Sequence, residues 1–309
     1  MGAKQPAPMV QWNAARPASN MNLRPTPAAG EDLPARILAL ETAAFHAWPA
    51  LREVRHGGWV LRLAGGFTKR ANSANPAAAQ APFHEVQAKA EAFYARHGLP
   101  AVFRLTPLAP PEADLQLQAA GYARFDPARV MVCPLGPAPS EQAAWDAGLE
   151  LAPTPSPAWL DGFASANGVP ARHQAVHHAI VQSIVRPSAF ATLRQEGQPI
   201  GFGLAVREQD TVGFFDIAIA PQHRRRGHAT RLMQALMRWA QDRGAQQAYL
   251  QVRDGNPAAR QLYARLGFAD LYRYHYRVPP EMAGMKHAGT EAGLAPPHAP
   301  QAPAGRRTP

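Results

Sequence analysis

The chain is short of cysteine, of lysine and of long apolar runs, and each shortage removes a class of protein. Cys133 is the lone cysteine among 309 residues, so no internal disulfide can form. No apolar run approaches the roughly 20 residues of a membrane span, and the N-terminal stretch has no signal-peptide core. A cytoplasmic protein with no membrane partner is the expectation. Lysine stands only at Lys4, Lys69, Lys89 and Lys286, so the net charge of +10 is carried by arginine. Outside one loop these arginines are scattered singly, without interleaved aromatics, which argues against a nucleic-acid groove. Their field would still attract polyanions and acidic substrates.

Proline, by contrast, is abundant, and its distribution divides the chain. Residues 1–30 and 279–309 are Pro/Ala-rich with few apolar anchors and read as disordered tails. A third patch, Pro134-Leu135-Gly136-Pro137-Ala138-Pro139, separates residues 31–136 from 137–278. With 46% hydrophobic residues the chain can bury two cores of ordinary size.

The second half reads as an extended piece at 149–151, helices around 157–166 and 171–184, and strands 189–194, 200–206 and 212–220. The last strand leads into His223-Arg224-Arg225-Arg226-Gly227-His228-Ala229-Thr230. There Gly227 and Ala229 leave backbone uncovered at a helix start, where orphan N–H groups and the helix dipole favour an anion. Leu232, Met233, Leu236, Met237 and Ala240 then form one apolar helical stripe, and Gly244 suits its stop. Downstream come a strand, Ala248 to Arg253, and a second helix that Asn256 would cap, with Pro257 in the first turn and Gly267 at the end.

The pattern Arg224-x-x-Gly227-x-Ala229, followed by the Asn256 to Phe268 segment, resembles the acetyl-CoA signature of the GNAT N-acetyltransferase superfamily. The span from Phe215 to Phe268 is closest to the branch that acetylates protein N-termini, ribosomal proteins included. The resemblance implies acetyl-CoA as cosubstrate, no metal, and an acceptor amine on a protein N-terminus, a lysine or a small molecule. It assigns cofactor contacts to Ile217, Ala218, Ile219, Arg224, Arg225, Arg226, Gly227, His228, Ala229, Thr230 and Asn256. All lie beyond Asp216, so the second half alone is expected to bind the cofactor. The implied reaction is direct attack of the amine on the thioester. In it Tyr263 returns a proton to the departing sulfur, unless Tyr263 is simply a core aromatic beside Leu262 and Leu266.

Gln251 stands where that branch carries a glutamate base, and an amide cannot accept a proton at neutral pH. Asp216, between Phe215 and Ile217, is the substitute candidate; the alternative is a carboxylate that only bonds a neighbouring strand. His275 is a further candidate, and reads as a plain strand residue. Loss of the glutamate also leaves open a catalytically weak, CoA-responsive regulatory or binding protein, although Tyr263 and Asn256 are both kept.

In the first half, helix 36–45 precedes Gly58–Leu63 and Phe67–Ser73, read as a hairpin joined through Gly65-Gly66. Then come helix 84–96, strand 101–105, helix 113–120 and paired strands 122–135. Gly121-Tyr122 echoes Gly267-Phe268, so this half resembles a degenerate GNAT domain that has lost its pyrophosphate loop. The expected architecture is α/β (α+β): two GNAT-like domains in tandem, each a mixed central sheet flanked by helices. Thr68, Arg70 and Asn72, with Gln251, are candidates for the acceptor pocket between the halves; the alternative is an exposed hairpin. Glu41 and Arg62 read as surface residues, and Trp145, Trp159 and Trp239 as fillers of cores or of the domain junction.

Overall fold

Glycines, caps and apolar stripes place most elements where the patterning puts them. The computed structural model describes residues 32–137 and 147–284. The first half contains α1 (Leu33–Ala47), β1 (Arg52–His56), β2 (Trp59–Leu63), β3 (Ala74–Pro76), α2 (Val86–Ala95), β4 (Phe103–Leu105), α3 (Pro111–Ala119) and β5 (Ala123–Pro134). The second contains β6 (Leu149–Ala152), α4 (Pro157–Asn167), α5 (Ala171–Gln182), β7 (Ser188–Gln195), β8 (Gln198–Glu208) and β9 (Thr211–Ile219). It continues through α6 (His228–Gln241), β10 (Gln247–Arg253), α7 (Pro257–Arg265), β11 (Ala269–Val278) and α8 (Pro280–Ala283). The 1–30 tail, most of the 279–309 tail and Trp145 lie outside the described residues. The part of the C-terminal tail that is described forms α8, and Met282 is buried there.

The eleven strands of the described residues form one mixed sheet, ordered β1-β2-β3-β4-β11-β5-β10-β9-β8-β7-β6. The division between the halves falls between β5 and β6, but the sheet includes strands from both. Strand β5 pairs antiparallel with β10 and with β11, and β11 pairs in turn with β4. Each half therefore supplies a strand that the other needs.

Opposite faces of this sheet carry different helices. On one face Trp48, Trp159, Phe163, Phe215, Tyr249 and Tyr274 belong to a common core with α1, α4 and α5. On the other, α6 and α7 pack Leu232, Leu236 and Tyr263 against Phe214, Leu250 and Val252. Each fully buried leucine of this kind contributes about 1.5–3 kcal/mol. Trp159 and Trp239 are both core residues, as read. No helix among the described residues is long and apolar enough to cross a membrane.

Two readings of the first half need correction. The hairpin is β1–β2, turned through Gly57-Gly58 with positive φ at both, and not a pair through Gly65-Gly66. Residues 67–73 instead form a buried loop with one 3-10 turn at Lys69–Ala71. The cause is Asn72: its Oδ1 accepts from the backbone N–H of Ala64 (2.7 Å) and Gly66 (2.9 Å), and its Nδ2 donates to the carbonyls of Ala64 and Thr68. A side chain thus takes the hydrogen bonds a ladder would have supplied.

Glu41 and Arg62, read as surface residues, are each 1% exposed. Glu41 is paired with Arg104 and accepts from the hydroxyl of Tyr272. Arg62 donates to Glu53 and to the carbonyls of Phe45, Trp48 and Arg70. Burial of these charges is tolerated because each is paired and hydrogen-bonded, Arg62 to Glu53 across the hairpin and Glu41 to Arg104 far along the chain.

Candidate active site

Strands β9 and β10 run parallel and pair only from Thr211 and Gln247 to Phe214 and Leu250, after which the register ends. On its other edge β9 bulges: Phe202 faces Ala218 and Leu204 faces Phe215, so Asp216 and Ile217 together oppose Gly203. Asp216 takes φ +52° there. Opposite the bulge, a Cβ on Gly203 would come within 2.9 Å of Ile217 Cδ1 and 3.0 Å of Leu236 Cδ1, so those side-chain ends would have to shift. The parting of the strands leaves a cleft of about 150 Å³ whose lining includes Arg70, Asp216, Ile217, Gln251, Asn256 and Tyr263.

Asp216 is held from behind. Its Oδ2 lies 2.7 Å from Nε2 of His177 on α5, whose side chain is fully buried. The imidazole stacks on Phe163 with ring centroids 4.8 Å apart, and Trp48, Phe67 and Trp159 complete an aromatic cage at 5.7–6.3 Å. Sequence reading missed His177. Its signal was the pair His173 and His177, one turn apart on a helix, where both are buried.

Gln251 presents Oε1 to the hydroxyl of Tyr274 at 3.0 Å, and the ring of Tyr274 lies under the Arg104 guanidinium at 3.8 Å. Arg70 sits with its guanidinium 5.5 Å from the Trp48 ring and 5.7 Å from Phe215. Of the four expected acceptor residues, then, Arg70 and Gln251 reach the cleft. Thr68 and Asn72 are 1% and 0% exposed, neither lines it, and the exposed-hairpin alternative does not hold either. Thr68 accepts from the Trp48 indole at 3.2 Å and Asn72 ties the loop. His275 bonds Asp114 Oδ1 at 2.8 Å, and it is not among the residues that line the cleft.

Across the cleft, Asn256 caps α7 by accepting from Ala259 N at 3.1 Å. About two turns later Tyr263 packs its ring in the α6–α7 core, with ring centroids 6.1 Å from Phe268, while also lining the cleft. Burial pushes its hydroxyl up to about 12, so it keeps its proton at neutral pH.

The arginine loop divides its labour. Arg224 donates to the carbonyls of Ile219 (2.9 Å) and Ala166 (3.1 Å), clasping the loop to the end of α4. Arg225, Arg226 and Gly227 are exposed, and Gly227 at φ +83° is the N-cap of α6. The space beyond its missing Cβ is open for 4 Å. His228 is buried, and burial together with the charges of Arg231 and Arg226 lowers its pKa, so it stands neutral in the first turn beside Ala229 and Thr230. An open helix N-terminus flanked by exposed arginines fits a pyrophosphate. Among the described residues no three His, Cys, Asp or Glu side chains gather as metal ligands.

Comparison with known proteins agrees with this geometry. Residues 34–277 match the family model described as "Probable histone acetyltransferase Rv0428c C-terminal". The "Uncharacterized N-acetyltransferase YobR" of Bacillus subtilis (strain 168) is 30% identical over 246 residues, 78% of this chain and 98% of its own. The ribosomal protein bS18-alanine N-acetyltransferase of Escherichia coli (strain K12) is 34% identical over 86 residues, 27% of this chain and 58% of its own. Among solved structures, a GCN5-related N-acetyltransferase from Kribbella flavida superposes with a TM-score of 0.59 at 17% identity, covering 79% of this chain and 95% of that one. That last likeness is one of fold.

Proposed function

Because the chain belongs to the Rv0428c C-terminal acetyltransferase family and is an N-acetyltransferase with the GNAT fold, we propose that it moves an acetyl group from acetyl-CoA to a primary amine by direct attack. The observation that carries this reading is the cleft where β9 and β10 part, with Asp216 on one wall and Tyr263 on the other. Acetyl-CoA, when bound, supplies the acetyl group as a thioester. The N-terminus of α6 with Arg225, Arg226 and Gly227 would hold its pyrophosphate, and the main chain of Ile217, Ala218 and Ile219 with Asn256 its pantetheine arm. Arg224, His228, Ala229 and Thr230 shape that loop.

Asp216 accepts the proton of the attacking amine at its carboxylate, and His177 is the positioning residue that orients it. Gln251 cannot take that role and is held by Tyr274. Tyr263 keeps its hydroxyl protonated and gives that proton to the departing sulfur. This retained acid favours a working enzyme over a CoA-responsive binding protein. A protein N-terminus, a lysine side chain and a small-molecule amine are all acceptors of the required chemistry, and a reducing cytoplasm suits the lone Cys133.

The test is CoA release with a panel of amines, paired with calorimetry of acetyl-CoA on Gly227→Ala and Gly227→Trp. At φ +83° either side chain costs about 1–2 kcal/mol of backbone strain. Only the indole covers the open amides as well, so binding should survive in the first and vanish in the second. Equal affinity in both would remove the loop from the cofactor site.

A further inference from the structure

Beyond Arg70 and Arg253 the cleft continues into a recess of about 30 Å³ between the halves, bounded by Lys69, Arg70, Asp126, Arg253, Tyr274 and Tyr276 among others. Three cations and one carboxylate meet there. Lys69 and Asp126 are each 8% exposed, with Nζ 3.0 Å from Oδ2, and Arg253 lies 3.7 Å from the other oxygen of Asp126. Nearby, Asp216 pairs with His177, and Asp254 and Asp270 with Arg129. The recess is lined by more cations than carboxylates, with Lys69 and Asp126 buried and Arg253 half-buried, so a ligand that brings an anion is favoured there.

The recess lies on the acceptor's side of the sheet. Gln251 and Arg253 alternate with Leu250 and Val252, which face α6 and α7, and they share a face with Tyr249 and Tyr274. The proposed pyrophosphate cradle is at the start of α6, the helix that packs on the opposite face. The anion that this cluster fits is therefore not part of the cofactor.

We infer that the acceptor is a small primary amine bearing a carboxylate, of the amino-acid class, whose carboxylate is received by Lys69, Arg70 and Arg253 while its amine faces Asp216. This inference rests on the acetyl-transfer reading above. The same cations disfavour the protonated form of an arriving amine, which helps deliver it neutral. They also repel polycations, so polyamines and lysine-rich peptides are poor acceptors.

The test uses the full chain and matched acceptors: amino acids, their carboxamides and their decarboxylated amines, with spermidine and a lysine-rich peptide alongside. A charge-assisted hydrogen bond of ordinary strength predicts kcat/KM about 10- to 100-fold higher for the acids. Arg253→Gln should shrink that gap by raising KM for the acids, with KM for acetyl-CoA unchanged, and Arg253→Glu should favour the decarboxylated amines. A second readout needs no turnover: in the presence of CoA, an N-acetylated amino acid should raise the melting temperature and its carboxamide should not. Equal kcat/KM for acids and carboxamides, a preference for spermidine or the lysine-rich peptide, or equal stabilisation by the two products would overturn the assignment. Failure to release CoA with any amine would instead count against acetyl transfer, and product binding would still decide the acceptor class.

Discussion

Nε2 of His177 lies 2.7 Å from Oδ2 of Asp216, tying helix α5 to the bulge of β9 at the wall of the cleft. The partner explains how a carboxylate at φ +52° can point in one direction in a mostly apolar setting.

If Asp216 is the base, Asp216→Asn removes the acidic limb of the rate profile. His177→Phe keeps the aromatic packing but loses the hydrogen bond, and should lower kcat by about 10-fold or more at unchanged KM for acetyl-CoA. Gln251→Glu should be tolerated, since its carboxylate can still accept from Tyr274, and should hold or raise activity at lower pH. Rate against pH for the parent and three variants decides the matter. An acidic limb that persists in Asp216→Asn and moves with the basicity of the amine would exclude Asp216.

Tyr263→Phe should bind acetyl-CoA normally and turn over roughly 10²-fold more slowly, the usual worth of one positioned acid. With its hydroxyl pushed up to about 12 by burial, Tyr263 contributes no alkaline limb near neutral pH. Steady-state kinetics and calorimetry on the variant separate the two effects. An unchanged kcat would leave Tyr263 as a core aromatic only.

Glu41 and Arg104, on α1 and β4, form a buried pair that also engages the Tyr272 hydroxyl. Removing one partner strands the other's charge, so Glu41→Gln or Arg104→Met alone should cost about 3–5 kcal/mol. The double variant should cost clearly less than the sum. Urea denaturation of the four proteins gives the coupling, and simple additivity would show that the pair does not act as a unit.

A fragment of residues 147–284 retains every proposed cofactor contact but lacks β5, which lies between β10 and β11. Those two strands would then present unpaired edges to water. That sheet order argues against the expectation that the second half alone binds the cofactor, so the fragment should neither unfold cooperatively nor bind acetyl-CoA. Circular dichroism melts and calorimetry check this, and native-like affinity in the fragment would show that β5 is dispensable.

Local physics made much of the protein legible in its sequence. The stripe of α6, the helix start at Gly227, the Asn256 cap and the strands β7 to β9 each depend on residues a few positions apart, and each is found where patterning puts it. The same holds for the placement of Asp216 and Tyr263 on neighbouring elements, and for the family resemblance of the cofactor segments.

What only tertiary structure decided involves partners far apart in the chain. His177 reaches Asp216 from 39 residues away, Arg104 reaches Glu41 across 63, and Asn72 replaces a β-ladder with side-chain hydrogen bonds. A buried Glu and a surface Glu look alike in sequence, because the distinction lies in whether a distant cation arrives to offset desolvation. The exchange of β5 and β11 between the halves is of the same kind. Strand propensity marks where strands form, but which edges meet is settled by how the two faces bury their helices, and that choice places Lys69, Arg70 and Arg253 around one carboxylate.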